Sequence, residues 1–178
     1  NNNYYHWRMI KTCLPGILLF FLCVASKSQA QDSTITRKKY FTKQLTKPIT
    51  LDGIRSEEAW NDVEWGGGFT QSQPNEGKPP SQQTKFKILY DERFLYVAYR
   101  CEDLAPDSII KRMGRRAEFP GDWVEINIDS YHDKRTAFSF TLSVSGVRSD
   151  EFISSDGNNW AANWNPIWFA KTHIDKDG

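Results

Sequence analysis

The residues best suited to chemistry lie in one short run, Asp122 to Asp129. Val124, Ile126 and Ile128 alternate strictly with Trp123, Glu125, Asn127 and Asp129. Side chains two apart on a strand share a face, so the run presents one apolar face and one polar face. The polar face joins an indole to three hydrogen-bonding groups. A sugar ring has apolar C–H faces that stack on a flat aromatic, and rim hydroxyls that carboxylates and amides can hold. Trp123, Glu125 and Asn127 are therefore candidate carbohydrate ligands. The competing reading is a solvated outer face, the ordinary fate of polar residues on an antiparallel strand.

Trp160, Trp164 and Trp168 recur every four residues. That spacing suits a helical stripe, but Asn163, Asn165 and Pro166 make a poor helix. A loop entering a strand fits better. One of these tryptophans then belongs to the core, and Trp160 or Trp164 is a candidate for the far side of a sugar cleft. Glu125 and Asp129 could alternatively be a glycosidase pair. Residues four apart on a strand have Cα atoms roughly 13 Å apart, too far for the ~5–9.5 Å carboxyl separations of known mechanisms. A haem reading would need Met113 with His132 or His173 as iron ligands.

The elements that must position this run read as short strands. Phe86, Ile88 and Tyr90 alternate with Lys85, Lys87 and Leu89. Phe94 to Tyr99 is nearly all apolar, and Asp91-Glu92-Arg93 connects the two as a hairpin. Phe138, Phe140, Leu142 and Val144 alternate with serine and threonine, Gly146 ends that strand, and Val147 to Ile153 makes another. A further strand is expected from Trp164 to Phe169, after a polar loop at 154–159. Ser56 is expected to cap a short helix through Asp62, with Trp60 packing it onto the sheet. Pro106 to Met113 suits one or two helical turns. Many short strands with turn signals between them, and no long helical period, predict an all-β antiparallel β-sandwich. Its expected core is Phe86, Ile88, Val124, Ile126, Phe138 and Phe140. Gly66-Gly67-Gly68 lacks the Lys-Ser/Thr that would make it a phosphate loop.

The first thirty residues differ from the rest. Met9, Lys11, an apolar run from Ile17 to Ala25 and Ser28-Gln29-Ala30 follow the order of a cleavable secretory signal. The apolar run is short of the roughly 18 residues that a spanning helix needs. The expected division is a signal at 1–30, with 1–8 an over-extended start, a flexible leader at 31–47 and one domain at 48–178. The protein is then exported, to the periplasm, the outer membrane or the outside. After cleavage 20 Lys and Arg face 22 Asp and Glu, so no basic stripe suggests nucleic acid. Cys101 alone survives of three cysteines. That excludes an internal disulfide and leaves Cys101 as a small buried hydrophobe.

Three segments carry a resemblance. Ile49-Thr50-Leu51-Asp52-Gly53 with Glu58-Ala59-Trp60, Tyr90-Asp91 with Phe94 to Asp103, and Asp122 to Asp129 are similar to family 9 carbohydrate-binding modules. Arg115-Arg116, Gly146 to Asp150 and Trp164 to Trp168 resemble a subgroup found at the N-terminus of large bacterial outer-membrane proteins. The resemblance implies a non-catalytic sandwich that binds a mono- or oligosaccharide, serving polysaccharide breakdown or uptake. It implies that Glu125 is the sugar-holding carboxylate. Phe119 stands where a clamp tryptophan is expected, Trp123 where a small residue is, and Thr141 where an arginine is. No cofactor is expected beyond structural calcium, for which Asp129 and Asp133 are the candidates. It implies further strands after Gly178, leading to an outer-membrane barrel as a partner; a purely structural appendage without a sugar is the alternative.

Overall fold

A computed structural model describes residues 37–119 and 121–178. The secretory-signal segment and the first six residues of the leader lie outside the described residues. Among those described, no helix is long and apolar enough to cross a membrane.

The described residues are all-β, in two sheets. The first has the order β1-β2-β3, formed by Lys43–Gln44, Thr84–Tyr90 and Leu95–Cys101. β2 and β3 make the expected antiparallel hairpin, with Phe86 opposite Tyr99 and Ile88 opposite Val97. Asp91 builds the turn: its Oδ1 accepts the backbone N–H groups of Arg93 and Phe94, and its Oδ2 accepts the Tyr96 hydroxyl. These donors, the Arg93 amide foremost, hold its carboxyl below the usual aspartate range. β1 comes from the stretch expected to be a flexible leader. It runs parallel to β2, and Thr42 Oγ1 donates to the Ile88 carbonyl.

The second sheet has the order β4-β5-β6-β7: Trp123–Ile128, Ala137–Ser143, Arg148–Ser154 and Asn159–Ala161, all antiparallel. The strand expected at 164–169 does not form, and β7 falls instead at the edge of the expected polar loop. Pro166 has no N–H to give a ladder. Trp164 and Trp168 instead lie against Phe138 and Phe140, with ring centroids 4.6–5.5 Å apart.

The expected helix is a single 3-10 turn, Glu58–Asp62, without a side-chain cap. It buries Ala59 and Trp60 with Val63 against Leu89, which is 1 % exposed. This corrects the face assignment of β2: Leu89 and Lys87 lie on its more buried face, while Phe86 and Ile88 are half-buried. Lys87 Nζ donates to the Trp60 carbonyl at 2.6 Å and lies 5.0 Å from the Trp65 ring centre. Burial, followed by the Arg55 charge, holds its ammonium below the usual lysine range. Val124, Ile126, Phe138 and Phe140 are likewise half-buried. Cys101 ends β3 on the surface rather than in the core.

The triple glycine has a packing role. Gly66 and Phe86 exchange both backbone hydrogen bonds, and a Cβ at Gly66 would lie 2.3 Å from the Phe86 ring. Gly53 has φ +89°, and a Cβ there would meet the Thr172 backbone at 2.8 Å.

Candidate functional site

Strand register settles which side chains share a face. Across the second sheet Trp123 pairs with Ser143, Glu125 with Thr141 and Ser149, and Asn127 with Ser139 and Glu151. These form the polar face. Val124, Ile126 and Ile128 share the opposite face with Phe138, Phe140, Leu142 and Phe152. The Val144 N–H donates to the Asp122 carbonyl, so the backbone groups of even-numbered residues of β4 point toward β5. Those of Trp123, Glu125 and Asn127 point to the free edge. There the Tyr99 hydroxyl, from the other sheet, donates to the Glu125 carbonyl at 3.2 Å. Burial, aided by nearby Cys101 and Glu125, pushes this phenol up to about 12.

The centre of the polar face is the Glu125 carboxylate, which is half-buried. Asn127 Nδ2 donates to its Oε1 at 2.7 Å. Thr141 Oγ1 donates to its Oε2 at 3.3 Å. Thr141, which stands where the resemblance implies an arginine, thus contacts this carboxylate through a neutral hydroxyl. Each oxygen has one donor, and a carboxylate offers about four acceptor sites, so capacity remains for ligand hydroxyls. Trp123 is 51 % exposed. Phe119 lies beside it, with ring centroids 6.1 Å apart and planes tilted by 39°. The two form a bent aromatic surface at the start of β4.

The other candidates are more scattered. Trp160 shares the polar face through its pairing with Ile153, is 45 % exposed and donates Nε1–H to the Gly157 carbonyl at 2.9 Å. It is three strands over and six residues along from Trp123, roughly 25 Å away at ~4.8 Å per strand and ~3.3 Å per residue. Trp164 stacks on Phe138 and Phe140 on the apolar face. Neither tryptophan therefore stands across a small cleft from Trp123. Two depressions of about 330 Å³ lie elsewhere: one at Gln44, Leu45 and Asp91–Arg93, the other at Met113, Gly114, Arg116 and Gly146–Arg148. The candidate site is an open surface. The Met113 depression includes no histidine in its lining, so it gives no pair of haem ligands.

The calcium candidates do not fit a cation cage. Asp129 accepts the backbone N–H groups of Asp133 and Lys134. Asp133 accepts those of Arg135 and Thr136 together with the Thr136 hydroxyl, and this holds its carboxyl below the usual range. Both carboxylates build the turn, and among the described residues no group of three His, Cys, Asp or Glu side chains could hold a metal ion. The hydrogen bonds of Asp129 thus go to its own loop.

A cluster that pattern reading left unassigned surrounds Asp150. Its side chain is 1 % exposed, and its Oδ2 accepts from Arg116 at 2.5 Å and its Oδ1 from Trp168 Nε1 at 3.0 Å. Arg148 lies over the Trp168 ring at 5.5 Å from its centre. Three motifs quoted only as a resemblance, the Arg-Arg pair, Gly146 to Asp150 and Trp164 to Trp168, meet at this one carboxylate. Their work here is structural: they neutralise a buried charge and fasten the 164–168 segment to the sheet.

No curated protein and no solved structure matches this chain. Residues 51–166 match the family described as Carbohydrate family 9 binding domain-like. The matched span includes the polar strand β4, the Phe119 approach to it and both sheets from β2 to β7. With the match covering more than half of the sequence, the chain belongs to the carbohydrate family 9 binding domain-like family.

Proposed function

We propose that this domain binds a saccharide, without transforming it, on the polar face of β4. One observation carries the reading: an exposed indole backed by Phe119 lies two residues from a carboxylate already oriented by Asn127 and Thr141. A sugar ring would stack on Trp123 while Glu125 and Asn127 take hydroxyls at its edge. A polar group pre-set by its neighbours needs little reordering on binding, which favours affinity. An open face nonetheless covers little ligand area, so a millimolar to micromolar constant, about −4 to −8 kcal/mol, is expected.

The chemistry is recognition alone. Asp129 is held by its own loop, and Glu125 has no second carboxylate at hydrolytic spacing on its strand. The signal-like pattern at 1–30 supports export, and the role that follows is retention of polysaccharide for breakdown or uptake in the periplasm, at the outer membrane or outside the cell. Isothermal calorimetry against mono- and oligosaccharides tests the reading. Saturable heat that disappears with Trp123→Ala supports it, and heat unchanged by that variant overturns it.

A further inference from the structure

Trp123 and Trp160 are too far apart to hold one ring, yet they lie on the same face at opposite corners of one sheet. The register draws a diagonal between them. Trp123 on β4, Thr141 on β5, Glu151 on β6 and Trp160 on β7 each lie one strand over and two residues along from the last. Every step changes strand and keeps the face. The central strand contributes only small side chains on this side, Ser139, Thr141 and Ser143, each at most 4 % exposed. No bulky side chain of β5 therefore rises to interrupt the path. Glu125 and Asn127 flank its first half, and Glu151 enters its second half half-exposed, with no hydrogen-bond or ion-pair partner among the described residues.

Trp160 is fixed as well as exposed. Its Nε1–H is anchored to the Gly157 carbonyl, so its ring is held in place while 45 % of the residue faces solvent. An aromatic platform, a free carboxylate beside it and a similar pair at the opposite corner form two half-sites with like chemistry.

We infer that the face is a chain-binding surface: a second subsite at Trp160 and Glu151 engages the same polysaccharide chain whose other part stacks on Trp123. The ligand class is a linear polymer of several neutral sugars spanning roughly 25 Å, the separation that strand spacing and rise give for the two indoles. A single terminal sugar would reach only one of them. This inference rests on the reading of Trp123 as a sugar platform. Its distinctive consequence is dependence on chain length, because linking two weak subsites raises affinity without new kinds of contact.

The experiment is calorimetry on the full chain with gluco-, xylo- and manno-oligosaccharide series from disaccharide to hexasaccharide. In the series that binds, the hexasaccharide should bind about tenfold or more tightly than the disaccharide, the gain expected from a second stacked ring. Trp160→Ala should erase that gain and leave the disaccharide constant unchanged. Glu151→Ala should reduce the gain in the same selective way, and Trp160→Tyr, which keeps a ring, should retain part of it. Circular dichroism and melting of each variant separate a lost subsite from a lost fold; if Trp160→Ala unfolds, Glu151→Ala and Trp160→Tyr decide. Equal affinity for short and long chains, or a length gain untouched by these variants, overturns the second subsite and leaves the Trp123 site standing. If no member of any series binds, the Trp123 reading falls and this inference falls with it.

Discussion

Replacing Trp123 with alanine is the sharpest test of the polar face, and its size follows from exposure. The residue is 51 % exposed, so about half of the roughly 200 Å² that a tryptophan can bury is free for a ligand. Covering ~100 Å² at ~25 cal/mol per Å² contributes about 2.5 kcal/mol. At ~1.4 kcal/mol per tenfold, Trp123→Ala should weaken binding by about 60-fold, carrying a submillimolar ligand beyond the range of calorimetry. The fold should lose far less. Trp123 pairs with Ser143 and touches Phe119 at a tilt, and half of it is already in water, so a stability loss under about 1.5 kcal/mol is expected. Calorimetric titration and urea unfolding on the same preparations check both numbers. Unchanged binding refutes the site. Lost binding accompanied by a stability loss of several kcal/mol refutes the reasoning, because the indole would then be holding the sheet rather than the sugar.

Other expectations follow from the same geometry. Glu125→Gln keeps the side-chain shape but removes the charge that Asn127 and Thr141 orient, so titration should show weaker binding and an altered sugar preference, with melting nearly unchanged. Arg116→Ala leaves Asp150 buried with only the Trp168 indole as a donor. Because Arg116 is itself half exposed, the loss in urea unfolding should be about 1–3 kcal/mol, below that of a fully buried pair, and a loss under about 0.5 kcal/mol would refute the role given to it. Asp175 receives a two-pronged contact from Arg100, which holds its carboxyl down to about 2. Its contribution should be complete above the ordinary aspartate range near 4 and lost as the pH falls through about 2; an NMR titration of Asp175 should show that midpoint, and Arg100→Ala should return it toward 4. Expressed with its own leader, the protein should give an intact mass that begins at Gln31, and a retained leader would count against export.

Much of the fold was legible because alternation is a strong signal. Strands β2 to β6 fall within about two residues of their expected bounds; β2, β4 and β5 carry a period-two pattern, while β3 is a short apolar run and β6 follows the turn at Gly146. Depth was less legible than direction. Phe86 and Leu89 are both apolar, and only the return of the Glu58–Asp62 turn over β2 decides that Leu89 is the more buried. The strand missed at 159–161 is three residues long, too short for a period to show. The strand expected at 164–169 was read as following a polar loop, but its tryptophans serve as a cover for the apolar face.

The site divides along the same line. Trp123, Glu125 and Asn127 share a face because they lie on one strand, which a sequence states directly. That Thr141 supports Glu125 depends on the register between β4 and β5, which no single strand states. The distance to Trp160 depends on the order of four strands, and the side taken by Trp164 depends on a loop path. The Arg116–Asp150–Trp168 contact has a readable trace in its three short motifs, but their meeting point lies in three separate stretches of chain.

The hydroxyl of Tyr99 gives the strand that bears the face an unusual constancy. The donor it offers to the Glu125 carbonyl is complete below pH 10 and fades only as the pH climbs through about 12. Over any milder range β4 keeps this anchor to the other sheet. A change of saccharide affinity with acidity in that range would therefore not come from the loss of this anchor.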